Sequence, residues 1–196
     1  MKQRELFLQA DAALRSVIDR ITPDQLGLPA PTDWAVTPNP TVRDLVAAHA
    51  RDEAWVPDVL LGRTIEDAGG TYDGDLLGDD PIARYDRLND VATAAVNEDL
   101  DPEKVVHMSY GDYPLREYLE HTSTYRAFQA WSIARHLGWD YALPDTLVDL
   151  LWELIGPQID DFRAMGVFPP EIKPPHGADR QILLLCRVGY WVPPTD

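Results

Sequence analysis

The residues best suited to chemistry lie on one stretch of the chain, from Tyr118 to Gly138 (YLEHTSTYRAFQAWSIARHLG). Its spacing predicts a single long helix. At about 100° per residue, His121, Tyr125, Gln129, Ser132 and His136 fall within an arc of roughly 80°, where an ordinary core helix is apolar. Tyr118 and Phe128 flank the arc, and Gly138 is the expected left-handed stop. A second predicted helix, Thr41 to about Leu61, puts Val42, Leu45, Val46, His49, Glu53, Val56 and Leu60 on one face. His49 and Glu53 then stand one turn apart on the side expected to be buried. Two helices presenting polar groups to one core imply a site inside a bundle, lined by His49, Glu53, His121, Tyr125 and Gln129.

Two kinds of chemistry fit these residue types. In the first, His49 binds a divalent metal, zinc or nickel, with Glu53 and His121 as co-ligands. Imidazole and carboxylate are good zinc donors, and a catalytic zinc needs about three protein ligands plus an open position. In the second, the same residues close a hydrogen-bonded polar core without metal. His49 then bonds to Tyr125 or Gln129, and Glu53 pairs with Arg126, Arg51 or a charged His49, because an unpaired buried charge is expensive. Such a network leaves room for a small polar ligand between the helices.

The remaining candidates read as structural. His136 suits the negative end of its helix, His176 sits among prolines in an exposed stretch, and His107 reads as a surface or hydrogen-bonded histidine. Tyr125 as an acid or base would need a large pKa shift for which the sequence gives no cause. Neither a nucleophile elbow, a phosphate loop nor a dinucleotide fingerprint is present, so no catalytic residue is assigned. The Gly/Asp-rich stretch 62–80 lacks the spacing of a calcium loop.

The positioning elements follow from periodicity. A first helix is predicted over 2–21 and a third from Asp80-Pro81, followed by an extended VVHMSY with a Gly-Asp turn. A last long helix is predicted from Asp145 to Gly166, with Leu154 and Met165 inward. Residues 167–196 read as a proline-rich strap ending in a short helix near 179–188, packed on a 1–166 bundle. Trp34 is the expected anchor of the proline-rich loop before the second helix.

Bulk properties bound the function. The chain has 196 residues, enough for one good core, and 45% hydrophobic content. Its formal net charge of -16 argues against nucleic acid as a partner. It holds no apolar run of membrane-spanning length, and its N-terminus is charged throughout, which predicts a cytoplasmic protein. The lone Cys186 lies in an apolar run and reads as an inert buried thiol. A homodimer is compatible with a bundle but is encoded by no identifiable residue.

Three segments resemble the mycothiol-dependent maleylpyruvate isomerase-like group of the DinB-like four-helix bundles. They are WAVTPNPTVRDLVAAHARDEAWVPDVLLG, LREYLEHTSTYRAFQAWSIARHLG and FRAMGVFPPEIKPPHGADRQILLLCRVG, the last similar to the ending of an uncharacterised actinobacterial branch. The resemblance implies an all-α, antiparallel four-helix bundle with a proline-rich C-terminal extension and small terminal helix. It also implies a divalent metal, usually zinc, and a low-molecular-weight thiol such as mycothiol, for isomerisation or thiol transfer on a small electrophile. The group's second-helix histidine matches His49. Its two ligand positions on the later helix fall on Tyr125 and Gln129, where this sequence departs from the pattern.

Overall fold

The computed structural model describes residues 1–32, 34 and 37–192. The described chain is mostly helical. In order it forms α1 (Lys2–Ile18), α2 (Val42–Leu61), α3 (Ile65–Ala68), α4 (Pro81–Ala95), β1 (Val105–Met108), β2 (Gly111–Pro114), α5 (Leu115–His136), α6 (Asp145–Leu154), α7 (Ile159–Ala164) and α8 (Arg180–Val188). No helix is long and apolar enough to cross a membrane among the described residues.

Local chemistry sets the boundaries. Thr41 and Asp44 close a reciprocal capping box at the start of α2. The Asp80 side chain accepts the Ala83 N–H ahead of Pro81 at the start of α4, and Asp179 accepts the Ile182 N–H at the start of α8. Strands β1 and β2 pair as an antiparallel hairpin with Val106 opposite Tyr113. The extended piece was expected, but it ends at Met108, the turn falls on Ser109 and Tyr110, and Gly111 and Asp112, expected as the turn, begin β2.

Two expectations are corrected. The first helix stops at Ile18 instead of residue 21, although Ile21 stays buried. The single last helix over 145–166 is broken into α6, a 3-10 turn at Gly156–Gln158, and α7. Pro157 has no N–H to donate and its ring crowds the preceding turn, which breaks the helix here although α2 continues through Pro57. The break turns Met165, expected inward, to the exterior.

Four long helices carry the core: α1 lies along α5, and α2 along α4. Two apolar clusters fill it. The smaller joins Phe7, Val56, Val59, Ala92, Val96, Leu115 and Leu119; the larger joins Leu14, Leu45, Val46, Tyr85, Ala130, Ile133 and Leu147 with Leu184 and Leu185 of α8. The N-terminal ends of α1 and α5 therefore meet the C-terminal ends of α2 and α4. Helices α1 and α5 run one way, α2 and α4 the other, so each closely packed pair is parallel and the two pairs are opposed. Because α8 contributes to the larger cluster, the strap region is part of the main core.

Candidate functional site

All four long helices carry buried polar residues near the boundary of the two apolar clusters, among them Asp11 on α1, His49 and Glu53 on α2, Asn89 on α4, and Ser123 and Arg126 on α5. The result is a polar layer across the core. Its centre is Arg126, 1% exposed. One guanidinium nitrogen donates to Asp11 at 2.7 Å and the other to Glu53 at 2.9 Å, while the Phe7 ring lies 4.6 Å from the guanidinium carbon. The free oxygens are also used: Tyr85 donates to Glu53 at 3.2 Å and Thr93 to Asp11 at 2.6 Å.

Burial works against charging Arg126, but Glu53 and Asp11 outweigh it and hold the guanidinium charged. The same burial pushes the Glu53 carboxyl well above its ordinary range, with Arg126 opposing and Asp11 reinforcing the shift. One cation between two buried carboxylates favours keeping one proton in the cluster. Glu53 thus has the partner expected of it, and both of its oxygens are occupied by Arg126 and Tyr85.

His49 behaves differently. It is 1% exposed, and neither ring nitrogen makes a full hydrogen bond among the described residues. Its ring stacks obliquely on Tyr125, centroids 5.3 Å apart. The Gln129 side chain is the neighbour that favours its charged form, the contact expected of it, although it falls short of full hydrogen-bond geometry. Burial, with Arg126 nearby, outweighs Gln129 and pushes its pKa down to about 3, so the ring is neutral. The Gln129 Oε1 is likewise buried and makes no full hydrogen bond.

The stripe of α5 is corrected in part. His121, Tyr125, Gln129, Ser132 and His136 all line a groove of about 1310 Å³, while Tyr125 and Gln129 also reach back to buried His49. Tyr125 is 41% exposed. The opposite wall is the strap, held on the bundle by aromatic contacts: Phe168 meets Phe128 at 6.1 Å and Phe162 at 5.8 Å, and Tyr190 meets Phe128 at 5.5 Å. Gly189 makes that closure possible. Its φ is 81°, and a Cβ there would stand 2.6 Å from the Pro170 carbonyl. At one end His136 bonds to the Pro29 carbonyl at 2.7 Å and packs edge-on against Trp34. At the other end His121 contacts Tyr110, Tyr113 and Phe162.

The sequence-predicted site is therefore split. His49 and Glu53 lie in the buried layer, His121 lies among aromatic rings of the groove, and Tyr125 with Gln129 stand between. No group of three or more His, Cys, Asp or Glu is placed to hold a metal among the described residues. The donor set fits zinc or nickel poorly: Glu53 is engaged by Arg126, His121 faces Tyr110, and the groups beside His49 are a neutral phenol and an amide. His107 bonds to Asp112 at 2.8 Å across the hairpin, His176 is exposed and Cys186 is buried.

Sequence reasoning missed Asp11 and the strap aromatics. For Asp11 a signal existed, since it interrupts the apolar face formed by Phe7, Ala10 and Leu14. For Phe168 and Tyr190 none did, because no periodicity links a strap to the helix it crosses. Comparison with protein families, curated proteins and solved structures finds no match to this chain.

Proposed function

We propose that this chain is a binding protein for a small, flat, mostly apolar molecule with one hydrogen-bond donor, held in the groove of a DinB-like four-helix bundle and without a metal centre. The observation that carries this reading is the groove of about 1310 Å³ walled by Tyr110, Phe128, Phe168 and Trp191, with Gln129, whose Oε1 makes no full hydrogen bond, in its lining. Leaving a buried acceptor unsatisfied costs about 1–3 kcal/mol, so a ligand that supplies a donor recovers that cost. The aromatic walls supply face and edge contacts to a planar body.

The test uses 2-naphthol and its methyl ether, 2-methoxynaphthalene, which differ in the donor. Quenching of intrinsic tryptophan fluorescence should show tighter binding of 2-naphthol, and Gln129→Leu should abolish the difference. Equal binding of the two, or an unchanged preference in Gln129→Leu, rejects the reading.

A second reading is favoured by the groove's volume, which exceeds the roughly 300–1,000 Å³ of typical small-molecule sites. That space accommodates a thiol such as mycothiol beside a small electrophile, as the maleylpyruvate isomerase-like resemblance implies. Calorimetric titration with mycothiol tests it; saturable binding retained in the absence of metal supports it. Elemental mass spectrometry of protein purified without chelator decides the metal question. Near-stoichiometric zinc or nickel that disappears in His49→Ala would overturn the metal-free reading.

A further inference from the structure

A second cavity of about 540 Å³ lies on the other side of Tyr110, His121 and Tyr125, which line both spaces. Its inner wall is α2 and α5, and its outer wall is the Gly/Asp-rich segment around α3. Five aromatic side chains surround it: Trp55, Tyr72, Tyr110, Tyr118 and Tyr125. Trp55 and Tyr72 pack edge-on with centroids 5.5 Å apart, and Tyr72 is fixed by its hydroxyl, which donates to Asp58 at 2.7 Å.

The charge in this box is Asp52. It borders the cavity; burial pushes its pKa up to about 6, with Arg126 and Arg51 opposing, so it stays mostly ionised at neutral pH. Its field reaches the phenols of Tyr110, Tyr118 and Tyr125, whose ionisation it disfavours in addition to burial. Arg51, the one basic residue of the lining, is turned toward Asp73 at 3.7 Å. With Asp52, Asp73 and Arg51 together the lining keeps a net negative charge.

A carboxylate among several aromatic side chains in one recess is the set of groups that recognises organic cations. Ring quadrupoles attract the cation, and the carboxylate supplies a counter-charge that needs no directed hydrogen bond. An apolar ligand would leave Asp52 desolvated without a partner, and an anion would be repelled. We propose that this recess is a second binding site, taking an alkylated ammonium group between Asp52 and the rings of Trp55, Tyr72 and Tyr125. The site uses neither Gln129 nor the strap, although it shares the wall of Tyr110, His121 and Tyr125 with the groove.

The experiment is a titration of ¹⁵N-labelled full-length protein with choline and, separately, with its uncharged isostere 3,3-dimethylbutan-1-ol. The Trp55 indole N–H is the reporter. Choline should shift that resonance saturably and bind about tenfold or more tightly than the alcohol, the span expected of a desolvated cation–π site with a counter-ion. Asp52→Asn should remove the preference, and Trp55→Leu, which deletes the reporter and is therefore read by calorimetry, should weaken choline binding. Both side chains border the cavity, so unchanged circular dichroism melts would confirm that the variants fold. Equal binding of the two probes, an unchanged preference in Asp52→Asn, no saturable shift of Trp55, or shifts confined to Trp131 and Trp191 of the groove would each overturn the proposal. None of these outcomes bears on the Gln129 dependence of 2-naphthol binding.

Discussion

Arg126 of α5 and Glu53 of α2 form a fully buried ion pair, with the donor nitrogen 2.9 Å from the acceptor oxygen and neither side chain more than 1% exposed. Because Asp11 of α1 holds the other guanidinium nitrogen, one cation ties three helices together. Tyr85 and Thr93 bring in α4 through the same two carboxylates.

The first prediction concerns removing the cation. Arg126→Met leaves two buried carboxylates facing each other and should destabilise the fold by roughly 3–5 kcal/mol, the usual result of breaking one side of a buried pair. The triple variant Asp11→Leu, Glu53→Leu, Arg126→Met should recover most of that loss, since an apolar replacement leaves nothing unpaired. Urea unfolding measures both. An Arg126→Met protein as stable as the parent would show that the network is not closed.

A second prediction concerns acid. The ordinary histidine pKa is 6.5, and burial pushes that of His49 down to about 3. As pH falls through this window the unfolded chain takes up a proton that the folded ring refuses. The stabilising contribution is therefore complete above pH 6.5 and is lost progressively toward pH 3. Glu53 has the opposite sign. Its folded pKa is raised, so its contribution is complete below the ordinary value of 4.5 and declines as pH rises through the raised one. Unfolding free energies between about pH 5 and pH 7 should thus fall less steeply toward acid in His49→Gln and more steeply in Glu53→Gln. Parallel slopes in parent and His49→Gln would contradict the assignment.

The fold was legible where local chemistry decides it, and the site only in part. Thr41 with Asp44, Asp80 with Pro81, and Asp179 each mark a helix start in the sequence, and each caps one in the structure. Pro157 also announces a break, but Leu150, Leu151, Leu154, Ile155 and Ile159 keep the helical period across it and mask the signal. On α2, the 3.6-residue period correctly turned His49 and Glu53 inward. On α5 the same rule fails to say which of two faces is buried. Ala127, Ala130, Ile133 and Ala134 form the true inner face, and their small side chains make a weaker apolar signal than the polar stripe beside them. The groove exists because the strap crosses that stripe, a contact between distant segments that no local pattern encodes.

The last prediction opposes stability to binding at one residue. Gln129 carries a buried oxygen that makes no full hydrogen bond beside the ring of His49, which makes none either. Replacing it with leucine removes the unsatisfied acceptor and keeps most of the volume, so Gln129→Leu should be more stable than the parent by about 1 kcal/mol. The same change removes the group offered to a ligand, so 2-naphthol should lose its advantage over 2-methoxynaphthalene. A side chain that is a liability for folding and an asset for binding is the pattern of a site residue, whereas a structural glutamine loses stability on replacement. Urea unfolding and the naphthol titration on the same protein separate the two. A destabilised variant that keeps its ligand preference would place Gln129 in the scaffold and reject the groove reading built on it.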